Sequence, residues 1–170
     1  MKNTKKMILS ALFLALAFVL PFLTGQIPEF GAMLCPLHIP VLLCGFICGW
    51  PYGLVVGFTA PLFRSFVLGM PPILTALAMA FELAAYGAVS GIMHRLLPKK
   101  KPYIYVSLLT AMVVGRLAWG AATFLILASS GGTFTFSAFL MGAVLGALPG
   151  ILVQIVLIPL LVMALSKPKI

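Results

Sequence analysis

Apolar residues run along this chain almost without a break, and the polar positions that interrupt them fall into a few short clusters. The runs predict six helices. The first covers about Met7 to Leu23, and Pro21 ends it in a polar, breaker-rich loop that extends from Thr24 to about His38. The second, about Ile39 to Gly49, is too short to cross a bilayer if straight. A WPYG turn, Trp50 to Gly53, follows it as an interfacial aromatic pair around a proline. The third helix is expected over Leu54 to Leu68 and closes at the turn GMPP, Gly69 to Pro72. The fourth spans about Ile73 to Leu97, the fifth Tyr103 to Ala128 and the sixth Phe136 to Leu165, the last interrupted by Pro149 and Pro159.

Composition turns this pattern into a statement about solvent. Of 170 residues, 63% are hydrophobic and 8% charged, against about 25% charged in an ordinary soluble domain. A helix needs roughly 20 apolar residues to cross a hydrocarbon core about 30 Å thick, so the length accommodates five or six spans. We therefore expect an all-α integral membrane protein, a single six-helix bundle over residues 1–170. The basic, apolar N-terminus has the outline of a signal peptide but shows no clean cleavage site before Pro21, so it is read as a retained first helix.

Charge sets the orientation. Nine of the eleven Lys and Arg residues lie at the N-terminus, at Arg95 and Lys99 to Lys101, or at Lys167 and Lys169. With six spans all nine fall on one side, which the positive-inside rule assigns to the cytoplasm, so both termini are expected there. The net charge of +9 does not form an aromatic-interleaved surface for nucleic acid. Cys35, Cys44 and Cys48 make no metal spacing with the histidines, and Cys44 and Cys48 read as small packing residues. There is no Walker A pattern, HExxH or Ser-His-Asp set, so enzymatic chemistry, ATP hydrolysis included, is not expected, and neither cofactor nor metal is called for.

Three ionisable residues then stand out inside apolar runs: Glu82, Arg64 and Arg116. A charge at mid-membrane costs about 2.5 to 3.5 kcal/mol on insertion scales, so each is expected to face a polar cavity or another charge. At 1.5 Å per residue, Glu82 and Arg116 lie at similar depths, about 15 Å from the outer ends of their helices, and can meet. Gln154 lies deeper, and Arg64 only about 6 Å from the outer surface. Tyr86 and Trp119 share helix faces with Glu82 and Arg116, Met79 and Thr75 extend the Glu82 face outward, and His38 sits where the first outer loop enters the second helix. Together they outline an expected pocket entered from outside. The plainer alternatives are a structural Glu82–Arg116 pair, Arg64 snorkelling to the interface, aromatic packing and a helix-entry role for His38. Ala11 and Ala15 provide a small face for close helix approach, and glycine pairs such as Gly142 with Gly146 fit compact packing.

Six helices in about 170 residues, both termini inside, a long first outer loop, ALFLA at Ala11 to Ala15 and the run PLHIPVLLCGFICGWPYGLVVGFTAPLFRS together resemble the substrate-binding S components of bacterial energy-coupling factor (ECF) vitamin transporters. The resemblance covers essentially the whole chain. It implies a protein of the bacterial cell membrane that binds one vitamin or precursor near the outer surface. It also implies association, through Ala11 and Ala15, with a transmembrane coupling protein driven by two cytoplasmic ATPase subunits. The loops Thr24 to His38, Gly69 to Pro72 and Ser129 to Thr135 would form the lid. One carboxylate with two arginines suits a ligand with a basic ring nitrogen and an acidic oxygen, as vitamin B6 has; hydroxymethylpyrimidine is a further possibility, and a B6-like or pyrimidine ring is the favoured reading. If Glu82 and Arg116 neutralise each other, Arg64 remains for a carboxylate such as that of pantothenate. The alternatives of another class are a self-sufficient, proton-linked membrane carrier that uses Glu82, and a purely structural subunit.

Overall fold

In the computed structural model of the chain the described residues are 3–23, 35–98, 100–129, 131–132 and 135–165, and among them there is no strand. The helices are α1 (Asn3–Leu23), α2 (His38–Cys48), α3 (Trp50–Leu68), α4 (Ile73–Leu96), α5 (Lys101–Ser129), α6 (Phe136–Leu140) and α7 (Leu148–Leu165), with a π-helical segment at Met141–Leu145 between the last two. Five of them, α1, α3, α4, α5 and α7, are long and apolar enough to cross a membrane; α2, with 11 residues, is not.

Two expectations are corrected. WPYG is not a turn but the first turn of α3, because Pro51 at the start of a helix gives up no needed N–H. The reversal falls on one residue, Gly49, at φ 98°, a conformation that costs glycine no side-chain clash. The sixth predicted helix is not continuous either: the π-helical segment, closed by the Gly146 N–H donating to the Met141 carbonyl at 2.8 Å, separates α6 from α7. At the outer end of α3, Gly69 adopts the left-handed conformation and its N–H returns to the Ser65 carbonyl at 2.9 Å. The Ser65 hydroxyl donates to the Pro71 carbonyl at 2.7 Å, which ties down the turn into α4. Most of the predicted first lid, residues 24–34, lies outside the described residues, as do parts of the third.

α4 is the centre of the bundle, and α2, α3 and α5 pack around it. Glycines allow this. A Cβ at Gly53 would strike the Gly87 carbonyl at 2.5 Å, one at Gly91 would come within 2.7 Å of the Trp50 Cα, and Gly57 and Gly87 meet facing backbone as closely. In lipid, where apolar burial between helices brings little, such backbone approach supplies the attraction through van der Waals packing. The buried core that results includes Val41, Leu42, Leu83, Tyr86 and Leu108.

Candidate functional site

The chain's intramembrane carboxylate sits near the middle of α4 with 2% of its residue surface exposed. Arg116 of α5 reaches it, Nη1 lying 2.8 Å from Glu82 Oε1. From α2, His38 Nε2 lies 3.3 Å from the same oxygen. His38 is the first residue of α2, and Leu37 before it provides no side-chain cap, so the positive end of the α2 dipole is brought beside the carboxylate. Three helices are thereby fastened at one buried point, and the cost of placing a charge there is offset by a cation and a dipole. The edge of the His38 ring meets Tyr86, with centroids 5.0 Å apart and planes at 83°.

Above this cluster is a cavity of about 300 Å³ lined by His38, Thr75, Met79, Glu82, Arg116 and Trp119, together with Cys35 to Leu37 and the glycine-rich wall of Gly142, Gly146 and Ala147. Its size is that of a small-molecule site. Glycines shape its wall. A Cβ at Gly142 would come within 2.7 Å of the Trp119 indole, so the ring occupies space that another residue would fill; away from this cavity, a Cβ at Gly115 would likewise come within 2.6 Å of the Tyr86 ring. The π-helical segment widens the helix here and turns Gly142 toward the cavity, a local distortion of a kind frequent at functional sites.

Six of the nine residues expected at the site line this cavity, and three lie elsewhere. Arg64 is 7% exposed, donates from Nη1 to the Phe18 carbonyl of α1 at 3.0 Å and stacks over Phe22 at 5.3 Å. It is an α3–α1 tie. Tyr86 lies beneath the cluster and, with Arg116, lines an apolar cavity of about 350 Å³ between α5 and the α6–α7 region. Gln154 is fully buried in α7, and its side-chain oxygen and nitrogen have no hydrogen-bond partner among the described residues. Ala11 and Ala15 are exposed on α1 beside Ile8, Leu12 and Leu16.

Sequence reasoning passed over Cys35, Gly142 and Gly146. Cys35 takes a left-handed backbone (φ 48°), rare for a residue with a Cβ, and its Sγ lies 4.0 Å from Arg116 Nη2. Burial pushes its thiol pKa up, against the pull of Arg116. The spacing of Gly142 and Gly146 was the available signal, read as packing alone.

The family model described as "ECF transporter, substrate-specific component" matches residues 5–166. No curated protein and no solved structure matches the chain.

Proposed function

The chain belongs to the substrate-specific components of ECF transporters, and from that premise we propose that its ligand is a small heteroaromatic vitamin or precursor, of the vitamin B6 or hydroxymethylpyrimidine type, held in the cavity above Glu82. As a member of that family it is a multi-pass plasma-membrane subunit that binds a vitamin-type substrate for transport and is not an enzyme.

The observation that carries the ligand reading is the shared carboxylate oxygen: Glu82, Arg116 and His38 form one floor with both donor and acceptor capacity. A zwitterionic pyridinium phenolate, or an aminopyrimidine edge, presents the complementary pair: a donor for the carboxylate and an acceptor for the guanidinium. Trp119 and Met79 supply flat apolar surface for the ring. Arg64, bonded to the Phe18 carbonyl and not among the residues that line the cavity, offers no cation there for the carboxylate of pantothenate, which weighs against that ligand. The exposed Ala11 and Ala15 face fits docking of a transmembrane coupling protein, with ATP hydrolysis carried out by two further subunits.

Thermal-shift and calorimetric titrations of the purified chain with pyridoxine, hydroxymethylpyrimidine and pantothenate test this. One of the two rings is expected to stabilise the protein, and Glu82→Gln to weaken its binding at least about tenfold, since a hydrogen bond to a charged group contributes about 1.5 to 3 kcal/mol. Uptake of the ligand by the isolated chain in liposomes, or stabilisation by no water-soluble vitamin, would overturn the reading.

A further inference from the structure

α5 carries a ridge in which every fourth residue is exposed: Lys101, Tyr105, Leu109, Val113 and Leu117. Rows of this spacing wind slowly round a helix, at about 26° to its axis. The inner end of the row is a cation followed by a tyrosine, and the remainder is aliphatic. Charge, amphipathic ring and hydrocarbon is also the order met on passing from the headgroups of a leaflet into its core.

The aliphatic part of the ridge is one lip of the cavity of about 350 Å³ between α5 and the α6–α7 region. Leu109, Val113 and Leu117 are 48%, 61% and 59% exposed, so the cavity is a groove open along this lip, whereas Ala143, 1% exposed, closes its back. Phe139 and Ile151 complete its far side, and its lining has almost no polar surface. Arg116 borders it as well, but its guanidinium is committed to Glu82 at 2.8 Å. Position and width then decide what can enter. Leu109 lies about 12 Å along α5 from Lys101, and Leu117 about 18 Å from Ser129 at the outer end, while one leaflet's hydrocarbon is about 15 Å deep. A tail from the inner leaflet therefore reaches into the groove, and one from the outer leaflet scarcely does. Spread between Leu109 and Leu117, the volume leaves a cross-section of about 30 Å², less than half that of a helix about 10 Å across. The lip also lacks the small residues that let a second helix backbone approach closely.

We propose that this groove is a lipid site: an anionic phospholipid of the inner leaflet lays one acyl tail between α5 and α7, with its phosphate at Lys101 and Tyr105 beside its glycerol esters. Charge complementarity selects the headgroup, because the connection that brings Lys99, Lys100 and Lys101 to the start of α5 contains no acidic residue to neutralise them. The lipid site is separate from the ligand cavity and does not depend on which vitamin fills that cavity. It stands directly behind the cavity's aromatic wall, since the Phe139 ring lies 6.3 Å from that of Trp119 with planes at 31°.

Native mass spectrometry of the full chain, released from bilayer discs of equal parts phosphatidylglycerol and phosphatidylcholine, tests this. One phospholipid is expected to remain on each chain, with phosphatidylglycerol favoured over phosphatidylcholine by about fivefold. Lys101→Gln should bring the two lipids toward parity, and Val113→Trp, which fills the groove from its exposed lip, should abolish retention of either. Both positions are exposed, so the melting temperature of each variant in lipid-free detergent should match that of the wild type. A chain that retains no lipid, retains both lipids equally, or keeps phosphatidylglycerol despite Val113→Trp overturns the proposal. So does a lipid-free dimer that Val113→Trp dissociates, which would put a second copy of the chain on this lip.

Discussion

α4 meets glycines on two sides, and the two contacts differ in kind. Toward α2 and α3, glycine faces backbone: Gly45, Gly53 and Gly57 receive the main chain of α4 directly, and Gly87 and Gly91 receive theirs. On the α5 side glycine faces rings: Gly115 of α5 seats Tyr86 of α4, and beyond that contact Gly120 seats Phe139 of α6 and Gly142 of the π-helical wall seats Trp119 of α5. A main chain cannot turn aside, whereas a ring can. The first side is therefore a scaffold of fixed spacing, and the second an adjustable wall. Glu82 stands between them, held from α2 by His38 and from α5 by Arg116.

The sharpest way to break this comparison is Gly87→Ala. The added Cβ would run into the Gly53 carbonyl, and overpacking of this sort costs about 1 to 3 kcal/mol or more. We expect most of the folded, monodisperse protein to disappear from size-exclusion profiles; a normal profile would mean that the scaffold side yields as readily as the other. Gly142→Ala is the matching change on the adjustable side. There the indole moves instead, so the melting temperature should shift by no more than a few degrees, about 1 kcal/mol or less, while affinity for the bound vitamin falls about tenfold. The smallest effect separates the two arginines that lie within membrane-spanning helices. Arg64→Gln removes a hydrogen bond to Phe18 and a ring contact on the scaffold side, a loss of about 1 kcal/mol. Ligand affinity should stay within about twofold, and a larger drop would place Arg64 at the site after all.

Much of this was legible in the chain because two simple rulers apply in a bilayer. Hydrophobic length located every long helix, and the rise per residue put Glu82 and Arg116 at one depth, where they pair. Both rulers measure along a helix and are blind across it. They grouped Arg64 with the pocket as a charge inside the membrane, with snorkelling as the alternative, whereas the carbonyl that engages it belongs to α1. They missed the π-helical widening, since one extra residue per turn leaves hydropathy unchanged. Proline misled at Trp50 to Gly53, because a residue that breaks helices inside them also starts them. Cys35 was invisible as a site residue for a related reason: no glycine marks its left-handed backbone, and its approach to Arg116 runs across helices.

Gly49 has a consequence for how the protein enters the membrane. It joins α2 to α3 with no other residue outside a helix, and α2, at 11 residues, reaches only about 16 Å, half the hydrocarbon thickness. Such a segment is too short to be threaded and released into lipid as a span of its own, and its link is too short to let it wait on the surface while α3 is inserted. α2 and α3 must therefore partition together as one hairpin. Partition of the hairpin as a unit carries His38, at the far end of α2 from Gly49, to the depth at which the carboxylate of α4 meets it.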